Sequence, residues 1–171
     1  MLVSRAGGRD CGGHLTRDSG IVHTPGFPHP FRLPANCRWV IDSSSRPQGT
    51  TIVVRMTQLY VTAGLTFTEF AYYEPDSPFR LGANTLYEVT ETTALAVLNV
   101  TTSQHYLVID FKMERLAGNH IRALEGLLDV YGFNLTYNIY RGKSALHSYT
   151  PACSVAACSM LGNCYASSDF S

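Results

Sequence analysis

Apolar and polar residues alternate along most of this chain in short runs with the two-residue period of strands. Residues 38–42 form a short strand candidate around Trp39, the single tryptophan. Residues 51–56 (Thr-Ile-Val-Val-Arg-Met) follow the turn signal Pro47-Gln48-Gly49, and a further apolar piece spans 59–61. In 65–73, Phe67, Glu69, Ala71 and Tyr73 alternate with Thr68, Phe70 and Tyr72, the pattern of a half-buried strand. Pro75-Asp76-Ser77-Pro78 is a turn, and 86–90 and 94–100 are further strands. Residues 106–111 (Tyr-Leu-Val-Ile-Asp-Phe) are nearly all apolar and predict a central strand; 132–140 alternates cleanly and predicts the closing strand. Many short strands with turns about every 8–12 residues predict an all-β sandwich.

Three stretches break the pattern. Residues 1–10 are polar and Gly-rich and read as a disordered N-terminus. Residues 113–128 place Leu116, His120, Leu124 and Leu127 at helical spacing, weakened by Gly118 and Gly126, and read as a short helical or irregular insertion. Residues 141–152, with Gly142, Ser144, Ser148 and Pro151, read as a linker.

Composition narrows the class. A length of 171 residues allows one ordinary domain and an appendage, and 45% hydrophobic residues supply a core. Formal net charge is zero, so the chain lacks the basic field that nucleic-acid binding needs. No apolar run reaches the roughly 18–20 residues of a membrane span. The opening ten residues lack an apolar h-region and do not read as a signal peptide.

The five cysteines cluster at the two ends: Cys11 and Cys37, then Cys153, Cys158 and Cys164. A bridge between Cys11 and Cys37 would close a loop of about 27 residues, worth roughly 3–4 kcal/mol in the chain-entropy model. The odd count points to a missing partner. Asn99-Val100-Thr101 and Asn134-Leu135-Thr136 are glycan-acceptor sequons. Cysteines, sequons and the scarcity of lysine (Lys112 and Lys143) together favour an extracellular piece of a longer secreted or membrane-anchored protein.

Cys11-Gly12-Gly13, the segment Gly20-Ile21 to Pro25-Gly26-Phe27-Pro28, Asn36-Cys37-Arg38-Trp39 and the closing Gly132-Phe133 strand resemble a CUB domain over residues 11–140. The resemblance implies a CUB-like antiparallel β-sandwich of jelly-roll type, the Cys11–Cys37 bridge and a protein-binding role. Residues 153–171, with Cys153, Cys158 and Gly162-Asn163-Cys164, resemble the first half of an EGF-like module. This order of modules is similar to that of attractin and its multi-EGF relatives. Two departures stand out. No cysteine lies between Cys37 and Cys153, where many members carry a second bridge. Many members also bind calcium through a Glu, a Tyr-Asp pair and a late Asp, whereas here Phe67-Thr68 stands at the Tyr-Asp position and Val61-Thr62 follows Leu59-Tyr60.

Calcium needs six to eight oxygen ligands, and the only carboxylates placeable near the equivalent edge are Glu69, Asp110 and Glu114, so no metal or other cofactor is expected. The six histidines show no ligand spacing, and no nucleophile elbow, P-loop or dinucleotide fingerprint occurs, so no enzyme is expected. Tyr60, Phe67, Phe70, Tyr72, Tyr73 and Phe79 form an aromatic-rich region whose alternate members are core; Tyr72 and Tyr73, beside Glu74-Pro75-Asp76, border a binding loop. The expected function is a non-catalytic extracellular protein-binding module of a larger receptor or adhesion protein. The alternatives are a structural cap or spacer and a calcium-dependent ligand-binding module.

Overall fold

A computed structural model describes residues 11–94, 96, 99–115 and 131–141. It contains eleven strands: β1 Cys11–Leu15, β2 Ser19–His23, β3 Ala35–Asp42, β4 Thr50–Leu59, β5 Leu65–Phe70, β6 Tyr72–Tyr73, β7 Arg80–Leu81, β8 Asn84–Glu88, β9 Asn99–Thr102, β10 Tyr106–Met113 and β11 Phe133–Arg141. One sheet has five strands in the order β1-β3-β10-β5-β8; a second has four in the order β2-β11-β4-β9; β6 and β7 form a separate ribbon. The fold is an all-β sandwich, with no helix among the described residues.

The core follows from the alternation. Leu107, Ile109 and Phe111 of β10 point inward, as do Leu65 and Phe67 of β5 and Trp39 and Ile41 of β3. They meet Ile52, Val54 and Met56 of β4 and Phe133, Leu135 and Tyr137 of β11 from the facing sheet. Phe133 joins the two layers, edge-on to Phe111 at 5.1 Å and to Trp39 at 5.9 Å between ring centroids. Each such pair contributes about 0.5–1.5 kcal/mol beyond its buried area.

The described pairing is antiparallel except between β1 and β3, which run parallel with Cys11 opposite Cys37. The chain leaves β1, crosses to the other sheet as β2 and returns as β3, which makes the pair parallel. The disulfide joins Cys11 to Cys37 with Cα atoms 4.6 Å apart. Gly12 has φ +130°, and a Cβ there would lie 2.0 Å from the Arg38 carbonyl oxygen, so only glycine lets β1 close on β3. At the opposite end, Gly132 (φ +88°) approaches the buried Thr24, whose backbone N–H donates to the Phe133 carbonyl at 3.1 Å.

Several boundaries differ from the sequence pattern. The run 65–73 breaks at Ala71, whose N–H donates to the Leu81 carbonyl at 3.0 Å and so turns the chain into the ribbon. The strand read at 94–100 begins only at Asn99; residues 91–94 are turn, closed by Ala94 N–H to the Thr90 carbonyl at 2.9 Å. Of the piece read at 59–61, Leu59 ends β4, Tyr60 is irregular and Val61 makes an isolated bridge. Of the expected insertion at 113–128, Met113 closes β10 and residues 116–128 lie outside the described residues. So do residues 1–10, the linker beyond Arg141 and the EGF-like stretch with Cys153, Cys158 and Cys164.

Candidate protein-binding face

Alternation fixes which side chains leave the outer face of the five-stranded sheet: Arg38, Val40 and Asp42 from β3, Tyr106, Val108 and Asp110 from β10. A solvated face would be polar. Instead Val40 and Val108 are buried there with Phe70 and Tyr73, and Tyr106 packs against them. The cover is the β6–β7 ribbon, which folds back over the sheet with Tyr72 opposite Leu81 and Tyr73 opposite Arg80. Tyr73 points down into this second cluster, tilted against Phe70 at 5.2 Å. The connecting turn is held by the Phe79 N–H donating to Ser77 Oγ at 3.1 Å.

The ribbon's upper side is apolar and open. Tyr72 is 41% exposed, Phe79 60% and Leu81 58%. Tyr72 is held edge-on between Phe79 at 5.6 Å and Tyr106 at 6.3 Å. On the ribbon's other side, the Arg80 guanidinium lies 4.9 Å from the centroid of the Tyr73 ring, a cation–π contact between cross-strand partners.

Polar groups around the ribbon pair with one another. Arg38 grips Asp110 with two bonds, Nε to Oδ1 at 2.6 Å and a second guanidinium nitrogen to Oδ2 at 2.9 Å, and reaches the Tyr73 hydroxyl at 3.4 Å. The hydrogen bond to Asp110 outweighs partial burial and holds the Arg38 pKa above its ordinary value. At the edge, His14 Nε2 lies 2.8 Å from Asp42 Oδ2 and the Ser44 N–H donates to Asp42 Oδ1 at 2.8 Å. Burial pushes the Asp42 carboxyl up, but the bonds from Ser44 and then His14 overcome it and leave the pKa below its ordinary value. A recess of about 300 Å³ lies here, lined by Cys11, Gly12, Gly13, His14, Arg38, Val40 and Pro75.

The residues singled out in the sequence divide. Of the pair placed at a binding loop, Tyr72 is exposed but Tyr73 is 2% exposed, so Tyr73 supports the ribbon from beneath and cannot itself meet a partner. Tyr60, Phe67 and Phe70 are buried. Glu69 reaches across the open end of the sandwich, accepting from Asn84 Nδ2 at 2.8 Å and from the Thr102 hydroxyl. Asp110 is held by Arg38, and Glu114 is exposed beyond β10. Among the described residues, no three His, Cys, Asp or Glu side chains are gathered as a ligand set. Asn99 is exposed at the start of β9, and Asn134 is half-buried on the outer face of β11. Arg80 and Leu81 carry no motif; Pro78 and Gly82 on either side of them are their one signal. Arg38 stood in the Asn36–Trp39 segment and Asp110 among the carboxylates, but nothing in the sequence joined the two.

No family model matches the chain. Solved structures of similar shape include the CUB1-EGF-CUB2 domains of rat MASP-1, at 12% identity over 75% of this chain and 42% of that one, TM-score 0.47. The MASP-1 CUB2 domain bound to Ca²⁺ is 14% identical over 73% of this chain and 96% of that one, TM-score 0.44. The full extracellular region of zebrafish Gpr126/Adgrg6 is 14% identical over 77% of this chain and 15% of that one, TM-score 0.48. The chain thus spans less than half of the first and third of these.

Proposed function

We propose that this chain is a CUB-like, non-catalytic module that works outside the cell and binds another protein through the ribbon face. The observation that carries the reading is the exposure of Tyr72, Phe79 and Leu81 on a ribbon that Tyr73 anchors to the sheet beneath. Aromatic side chains already held in place lose little freedom on binding, which suits them as anchors. Net charge is zero, against a nucleic-acid partner, and the acidic Glu74 and Asp76 flank the ribbon turn, against insertion into anionic lipid. The Cys11–Cys37 bridge supports an oxidising compartment. No helix among the described residues is long and apolar enough to cross a membrane. We read residues 153–171, with Cys153, Cys158 and Cys164, as EGF-like in their cysteine spacing.

The test is binding of the secreted chain, residues 1–171, to arrayed ectodomains and matrix proteins. Wild type and the Ile21→Ser control should bind a common partner, and Phe79→Ser/Leu81→Ser should lose at least tenfold in affinity at unchanged Tm. Absence of any partner at micromolar concentration, or equal binding by the ribbon variant, would leave the domain as a spacer.

A further inference from the structure

Both sequons fall on one face. On β11, Phe133 and Leu135 point into the core, so Asn134 and Thr136 point outward from the four-stranded sheet. On β9, the buried Val100 places Asn99 and Thr101 on that same side. The register puts Ile21, Thr136, Arg55 and Asn99 in one row across the sheet. Among the described residues, β9 is one edge of the sheet, and β2, the other, lies beside Asn134, with His23 opposite.

Two features of this face have no use within the fold. Ile21 is 59% exposed on edge strand β2, a liability for pairing with other chains. Thr136 Oγ1 is enclosed and has no hydrogen-bond partner among the described residues. A valine would fill the same space without stranding a hydroxyl, so the fold itself gives no reason for threonine at this position. A sequon does need that hydroxyl, in the chain before it folds.

We infer that Asn99 and Asn134 both carry N-linked glycans, and that these cover the four-stranded sheet and guard its two edges while leaving the ribbon face bare. In the transfer, the amide Nδ2 bonds to the anomeric carbon of a lipid-diphosphate-linked oligosaccharide. The carbon–oxygen bond to the diphosphate breaks, the diphosphate leaves with the electron pair, and one amide proton is lost. Asn99 is exposed; Asn134 is half-buried and its side-chain Nδ2 donates to Gln58 Oε1 at 3.4 Å, a long bond that a turn of Gln58 releases.

The inference rests on the extracellular reading, so the test supplies the routing. The whole chain behind a secretion leader is made in mammalian cells, and glycans are released by amidase in heavy-oxygen water for peptide mapping. Labelled aspartate at both 99 and 134 is expected; an unmodified asparagine at either position in secreted, bridged protein overturns the inference and leaves the extracellular reading standing. That reading fails separately if protein from its native cell has Cys11 and Cys37 as free thiols. Native enzymatic deglycosylation, which leaves the fold intact, should turn a monomer into a self-associating species by light scattering, and Ile21→Ser should suppress this. A deglycosylated protein that stays monomeric overturns the edge-guarding role.

Discussion

Replacing Asp110 by Ala removes the carboxylate beneath the ribbon and leaves Arg38, among the described residues, with the long contact to the Tyr73 hydroxyl at 3.4 Å. The Arg38 and Asp110 side chains are 17% and 20% exposed, so the pair is mostly but not wholly shielded. Breaking a fully buried pair costs about 3–5 kcal/mol, and an exposed pair about 0.2–1 kcal/mol. This geometry lies between them, and the remaining solvent lowers the figure to about 2 kcal/mol. For a domain of this size that is a fall in Tm of roughly 8 °C. The double variant Arg38→Met/Asp110→Leu removes both charges and extends the apolar cluster of Val40, Val108 and Phe70, so it should recover to within about 0.5 kcal/mol of wild type. Urea and thermal unfolding of wild type, both singles and the double give the coupling from a thermodynamic cycle. A loss below about 0.5 kcal/mol for Asp110→Ala, or a double variant as damaged as the sum of the singles, would show that the pair does not hold the ribbon's floor.

Asp42 has a folded-state pKa below the ordinary value, so its stabilisation is present above about pH 3.9 and is lost as pH falls below that through the lower folded-state value. Asp42→Asn should flatten that part of the stability–pH curve, and an unchanged acid limb would remove Asp42 from the account. Thr136→Val in glycan-free protein should raise stability by about 1 kcal/mol, measured by urea unfolding; a loss of that size would mean the hydroxyl has a partner. Because Asp110 is already held by Arg38 and Glu69 by Asn84 and Thr102, millimolar calcium should not move the Tm of chelator-treated protein. An upward shift of several degrees would place a cation on the native state and revive the calcium-dependent reading.

The sandwich was legible because strand patterning is a local signal: alternation around Phe67 and Leu135, and the short apolar runs around Val54 and Ile109, each declare a buried strand on their own. β1 was not legible. Gly12, Gly13 and His14 are exposed, and this edge strand is fixed by its register with β3 and the disulfide rather than by its own pattern. The ribbon face was legible only in part. Tyr72 and Phe79 stood out as aromatics, but alternation continued through Ala71 and hid the fold-back that buries Tyr73 and exposes Leu81. The Arg38–Asp110 pair joins residues 72 apart, and nothing local marks them as partners until the register of β3 and β10 is known. The shared face of Asn99 and Asn134 likewise depends on β9 and β11 flanking β4.

A partner bound to this chain should sit on the ribbon. Hydroxyl-radical footprinting of the glycosylated chain, free and bound to a partner from the array, reads this directly, because Tyr72, Phe79 and Leu81 are oxidisable and exposed on one side of the sandwich and Ile21 on the other. Binding should cut oxidation of Tyr72, Phe79 and Leu81 severalfold and leave Ile21 unchanged. Protection of Ile21 with an unprotected ribbon would contradict the account.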